Sequence, residues 1–321
     1  MQRFPAVLAA AVFTAGCFDS SPGPTAPDKR KGWFVQDSGK APGFRSIQFP
    51  EAGIGYAAGG GGALFKTLDG GAAWFPESSG TVYGLLSVYF VNPDTGWAVG
   101  DIGTILKTVD GGASWSPQNS GTGSVLTSVQ FTDPNRGCAV GEKGIILQTL
   151  DGGGSWTNRN ADTGDLAFLS GVHFPHPDTG FAVGVNGLML KTKDGGTTWD
   201  SLNAGTANAL YTVFFVNGRL GYAAGGRGTI LKTADGGASW SDISGTTAQG
   251  ILSMRFVNAD TGWVVGDFGA IFRTRDGGTT WTSQTGAGHT LFSAFFLNPD
   301  TGWTAGDYGM ILKTENGGEA Q

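Results

Sequence analysis

The sequence predicts an all-β fold: a seven-bladed β-propeller of four-stranded antiparallel blades, its ring closed by the N-terminal strand completing the last blade. Three observations predict it. A segment reading GWAVGDIGTILKTVDGGASW, from Gly96 to Trp115, recurs seven times along the 321 residues. The acidic residue of its DGG turn returns as Asp69, Asp110, Asp151, Asp194, Asp235 and Asp276, with Asn316 in the seventh copy, at steps of 41, 41, 43, 41, 41 and 40 residues. A period of about 40–45 residues of short, glycine-punctuated apolar strands signals one propeller blade per repeat. Composition agrees: glycine is 57 of 321 residues and charged residues are 14%, which suits turns and strands better than helices. The third observation is a mismatch of ends. The last copy, TGWTAGDYGMILKTENGG, reaches Gln321 without the Trp that follows every other turn. The missing strand stands at the other end, where Trp33–Gly39 (WFVQDSG) matches Trp115–Gly121 (WSPQNSG) in Trp, Gln, Ser and Gly. Seven turn residues then balance seven Trp, at 33, 74, 115, 156, 199, 240 and 281.

In chain order, residues 1–17 read as an export signal. Arg3 supplies a positive start, and Phe4 to Ala15 is apolar but about half the ~20 residues of a membrane span. Thr14-Ala15-Gly16-Cys17 resembles a bacterial lipobox, which implies that Cys17 carries lipid and becomes the mature N-terminus. Ordinary secretion with cleavage near Ala15 is the alternative. Residues 18–32, rich in Ser, Pro, Gly and Asp, read as a flexible tether with a reach of ~20 Å. Residues 33–321 are the propeller. With Cys17 lipidated, Cys138 has no disulfide partner. It stands where other copies place Trp97, Phe181, Tyr222, Trp263 or Trp303, so it reads as a small core residue.

The second copy shows how a repeat becomes a blade. Leu85–Val91 is an apolar, β-branched and aromatic first strand, and Asn92-Pro93-Asp94-Thr95-Gly96 is a turn by composition. Trp97–Gly100 is a second strand, Asp101-Ile102-Gly103 turns the chain, and Thr104–Thr108 is a third strand. Asp110-Gly111-Gly112 forms a hairpin turn before the strand opened by Trp115. Both faces of each sheet pack on neighbouring blades, so the inner strands run continuously apolar instead of alternating. Closure removes exposed sheet edges, so a monomer is expected.

Chemistry is less legible. The formal charge of −6, with no basic face, argues against nucleic acid or an anionic lipid surface as partner. The repeated carboxylates read as hairpin staples, with Asp accepting from backbone N–H groups and Gly supplying positive φ. The turns between second and third strands vary on a constant scaffold, which is where a binding surface is built. Candidate binding residues there are Asp101, Glu142, Lys143, Arg227, Asp267, Phe268, Asp307 and Tyr308. The long connections between blades share that face and contribute Tyr83, Arg159, Asp165 and His289; the DGG turns occupy the opposite face. Two positions of the first strand also vary, and several of these residues should line the central channel. One site holds Arg45, Leu86, Thr127, Ser170, Tyr211, Leu252 and Phe292. The other holds Gln48, Tyr89, Gln130, His173, Phe214, Arg255 and Phe295. No phosphate loop, dinucleotide motif, Ser-His-Asp arrangement or metal-ligand spacing is present, so neither cofactor nor metal is expected.

Thr108-x-Asp110-x-Gly112-x-Ser114-Trp115 resembles the Asp-box of sialidase-type propellers. The wider pattern, Gly-aromatic-Ala-Val-Gly, then Gly-x-Ile-Leu-Lys-Thr, then the box, is similar to the photosystem II assembly and stability factor propellers, over roughly Trp33 to Gly318. That resemblance implies seven blades, an envelope or lumenal setting, and binding of a newly made membrane protein. The expectation is therefore a non-catalytic, lipid-anchored envelope propeller that binds or chaperones another protein. The alternative is a polysaccharide-acting or glycan-binding propeller of the Asp-box type. In that reading Asp101, Asp267 and Asp307 could supply acids within the ~5–10 Å such chemistry uses.

Overall fold

The computed structural model describes residues 32–39, 41–160, 167–286 and 288–319. Cys17, the rest of the export segment, the tether up to residue 31, and Asp165 lie outside the described residues. The described residues form seven four-stranded antiparallel sheets, one per blade. In blade 2 the strands are Leu85–Phe90, Gly96–Gly100, Ile105–Thr108 and Ser116–Gln118, in that order across the sheet. Blade 7 takes its first three strands from Leu291–Phe296, Gly302–Gly306 and Ile311–Thr314, and its fourth from Trp33–Gln36. Trp33 pairs with Thr314 and Gln36 with Ile311, so the two ends of the chain share one sheet, as the matching of Trp33–Gly39 to Trp115–Gly121 predicts.

Burial follows position in the blade. Every residue of the second strand of blade 2 is buried, whereas Ser116 and Pro117 of the fourth are exposed. The core lies between blades and is built on aromatic triads. Phe90 stacks on Tyr56 of blade 1 with centroids 3.7 Å apart, and box Trp115 meets its edge at 5.8 Å. Phe131 repeats this with Trp97 and Trp156, Phe256 with Tyr222 and Trp281, and Phe296 with Trp263 and Trp33. Burying one such ring is worth about 1.5–3 kcal/mol. The first-strand Phe also explains the glycine at or next to the start of each second strand. A Cβ on Gly96 would lie 2.5 Å from the Phe90 ring.

Cys138 occupies the second-strand aromatic slot of blade 3, buried, with its thiol pushed up by burial and so kept protonated. Phe174 of blade 4 therefore keeps only its box Trp199. Toward the axis the first strands are laced side by side. The Val88 N–H donates to Ser46 Oγ at 3.1 Å and the Val129 N–H to Ser87 Oγ at 3.3 Å. The same bond closes the ring, with the Ile47 N–H donating to Ser293 Oγ at 3.1 Å.

Candidate functional site

The two ends of the ring are built from different turns. At one end the Asp-box turns meet the turns between first and second strands, as where the Gly111 N–H donates to the Asp94 carbonyl at 2.8 Å. In the box, Thr108 Oγ1 donates to Asp110 Oδ1 at 2.8 Å and accepts from the Gly112 N–H at 2.8 Å. Asp110 Oδ1 also accepts from the Ser114 N–H, and Oδ2 from the Ser114 hydroxyl. The Ser114 hydroxyl, its N–H and Thr108 together hold the exposed Asp110 carboxyl at about 2. The box further clamps one blade to the next. The Gly111 carbonyl accepts from Tyr56 Oη at 2.9 Å and Lys66 Nζ at 2.6 Å, both from blade 1. Trp97 Nε1 does the same for Gly152, and Trp303 Nε1 for Gly70 across the closure. In the seventh box Asn316 Oδ1 accepts from Thr314 Oγ1, and Nδ2 donates to the Glu319 carbonyl. Asp69, Asp151, Asp194, Asp235 and Asp276 make the same bond to their own Thr.

At the opposite end the turns between second and third strands form a crown. Its middle residue is Gly61, Ile102, Lys143, Asn186, Arg227, Phe268 or Tyr308, and each is exposed. All seven adopt positive φ; the six that are not glycine lie between 54 and 57°. Left-handed backbone suits Gly and Asn, and costs a bulky or β-branched residue roughly 1–2 kcal/mol. Phe268 is 74% exposed and Tyr308 81%, so burial does not repay that cost. The buried glycine that follows is obligatory: a Cβ on Gly103 would lie 2.0 Å from the Thr122 carbonyl oxygen.

The carboxylates of three acids beside these apices are tied to backbone. Asp101 Oδ2 accepts from the Gly84 N–H at 3.1 Å while its own N–H donates to the Gly84 carbonyl. Glu142 pairs in this way with Val125, and Asp267 with Gly250. The Asp307 N–H donates to the Thr290 carbonyl at 3.0 Å. These bonds strap each blade's incoming connection to its crown turn. Phe268 and Tyr308 stand on adjacent blades, and Tyr308 has His289 edge-on with centroids 5.0 Å apart. Sequence reasoning placed the variable residues on this face but missed the left-handed backbone that thrusts them out. Gly61 and Asn186 in two of the seven slots were the available signal.

Both variable first-strand sites lie toward the axis. Near the crown, the Arg45 guanidinium lies 3.8 Å above the Phe292 ring. Near the box end, Gln48, Tyr89, Gln130, His173, Phe214 and Arg255 line a cavity of about 420 Å³. Burial first, and the Arg255 charge second, push the His173 imidazole down to about 3, so it is neutral. Among the described residues no cluster of three or more His, Cys, Asp or Glu could hold a metal ion.

Such an architecture defines a class: closed Asp-box propellers with a constant clamped face and a variable crown. Within that class, the family model described as Photosynthesis system II assembly factor YCF48 matches residues 26–109, 112–206, 165–248 and 240–321, and the chain belongs to that family. No curated protein matches the sequence. Among solved structures, one described as YCF48 bound to D1 peptide superposes with a TM-score of 0.74 at 22% identity, covering 88% of this chain and 97% of that one. YCF48 from Cyanidioschyzon merolae gives 0.73 at 21% identity, covering 88% of this chain and 98% of the other. An ancestral GH74 enzyme gives 0.71 at 14% identity, covering 90% of this chain but 46% of the enzyme. At these identities the superpositions show the shared fold.

Proposed function

We propose that this protein is a non-catalytic, lipid-anchored scaffold of the cell envelope that holds another protein, or assists its assembly, through the crown. The carrying observation is the set of six non-glycine residues, Ile102, Lys143, Asn186, Arg227, Phe268 and Tyr308, held exposed in left-handed backbone. Strain kept at surface apices serves no packing purpose and marks a face retained for contact. Exposed aromatics with Arg227 on the blade beside Phe268 suit a protein partner. Membership of the family and the peptide-bound relative support this reading. Asp101 and Asp267 spend a carboxylate oxygen on backbone N–H groups, which fits strapping better than acid catalysis.

The test is a Phe268→Ala, Tyr308→Ala double variant, with crosslinked capture from membranes and thermal melting measured together. Aromatic anchors of an interface cost ~2 kcal/mol or more on truncation. The expected outcome is unchanged melting with lost capture. Full capture by the double variant, with loss from substitutions on the box face, overturns the assignment. Anchoring has its own test: Cys17→Ser should release the protein in soluble form. Membrane fractionation that persists after signal removal would contradict the lipid anchor.

A further inference from the structure

We propose that the box-end mouth of the central channel is a carboxylate-binding site built on Arg255. It lies at the opposite end of the ring from the crown and does not depend on the crown's role. Arg255 is the next-to-last residue of its first strand, beside the turn that meets the Asp-box, which fixes the mouth to which its cavity belongs. Its guanidinium carbon sits between two rings, 5.0 Å from the Phe214 centroid and 4.9 Å from that of Phe295. Those faces attract the cation but supply no hydrogen-bond acceptor in the guanidinium plane.

Among the described residues that line the cavity, none accepts a hydrogen bond from Arg255. Arg255 Nε is buried without a hydrogen-bond partner. Gln48 commits both ends of its amide to the Phe90 backbone, and Gln130 commits both of its own to that of Phe174. Tyr89 is neutral, its phenol pushed up by burial, and His173 is neutral too. Among the described residues that line the cavity, Arg255 alone carries a charge. Burial also pushes the Arg255 pKa down.

A buried charge without a counter-ion is costly, and removing one partner of a buried pair is costly for the same reason. The chain as a whole carries −6, so its overall field does not gather anions; the attraction is local. A carboxylate fits it. The planar guanidinium presents parallel N–H groups that match two carboxylate oxygens. Phe214 beside the guanidinium, with Phe215 and Phe174 of the same lining, offers apolar surface to a ligand with an apolar body behind its charged end. A volume of about 420 Å³ holds a free small carboxylate or the last residues of a peptide chain. Either source offers the same group to Arg255.

The test uses the full chain with three probes: N-acetyl-alanyl-leucine, its C-terminal amide, and sodium acetate. Calorimetry gives affinities, and the His173 ring resonances report occupancy, there being 3 histidines to resolve. At least one carboxylate should shift the His173 resonances saturably, and the amide should bind at least tenfold more weakly than the acid. Arg255→Met should lose at least tenfold, with Arg255→Lys recovering part. A dipeptide acid at least tenfold tighter than acetate identifies a chain end as the ligand. Comparable affinities identify a free small carboxylate. No saturable shift from either carboxylate, or equal binding of acid and amide, overturns the proposal. The acid-against-amide comparison on the unaltered chain decides the matter even if an Arg255 variant fails to fold.

Discussion

At the scale of single residues, two kinds of turn carry opposite demands. The crown apex must accept left-handed backbone, and Ile102 meets that demand poorly because a β-branched Cβ crowds the carbonyl. Ile102→Gly should therefore stabilise the protein, by up to about 1 kcal/mol after the entropy cost of the added glycine. Denaturant unfolding measures it; a loss of stability would mean that the Ile102 side chain repays its strain through contacts. The box Asp instead gains from its turn. Hydroxyls first and backbone N–H groups second hold Asp110, Asp194 and Asp276 at about 2, against 3.8 for a free carboxyl. With the folded pKa depressed, this stabilisation is complete above 3.8 and disappears as pH falls through about 2. The melting temperature should drop between about pH 4 and pH 2, and drop less when those three Asp become Asn, the residue the seventh box already uses. Comparing parent and variant cancels His173, whose contribution is lost between 6.5 and about 3. Identical acid profiles for the two proteins would rule out the boxes as the titrating elements.

At the scale of elements, the interface between blades 3 and 4 lacks the ring that other second strands provide. Cys138→Tyr should restore stacking on Phe174 and place a hydroxyl toward the Gly195 carbonyl, as Tyr56 does for Gly111. An aromatic pair is worth about 0.5–1.5 kcal/mol, so a gain of that order is expected in melting experiments. A loss would show that the slot has closed around sulfur. The closing strand makes a sharper test. Deleting residues 33–39 removes the pairing with Ile311–Thr314, the Trp33–Phe296 contact and the Trp33 hydrogen bond to Gln284. Melting should fall, and chains should associate through the bared edge on size exclusion. Unaltered melting with monomeric elution would contradict the closure. This strand was legible beforehand because Trp33–Gly39 repeats the fourth-strand pattern without the three strands that should precede it. The longer step before Asp194 was legible only as length; what those residues do falls outside the described chain.

At the scale of the molecule, periodicity explains what could be read. A residue repeated seven times reports a demand of the scaffold, and the boxes, the second-strand glycines and the aromatic slots all repeat. Function gave no such repetition. Arg255 occurs once, in a slot that elsewhere holds Gln, Tyr, His or Phe, and only the folded ring sets it between Phe214 and Phe295 with its Nε unsatisfied. Of the acids weighed for chemistry, Asp101 and Asp267 each give a carboxylate oxygen to the backbone of the preceding connection, a bond that the sequence does not reveal.

The point where the closing strand enters has a directional consequence. Trp33 pairs with Thr314, next to the seventh box, and Gly32 lies beside Gly318. The chain thus enters the ring at its box end. Under the lipid anchor proposed above, the disc would hang like a lamp from a ceiling. Ile102, Phe268 and Tyr308 would then face away from the attachment, while the pore holding Arg255 would open back toward it. One pole would be offered to whatever diffuses past; the other would meet whatever emerges from the surface itself.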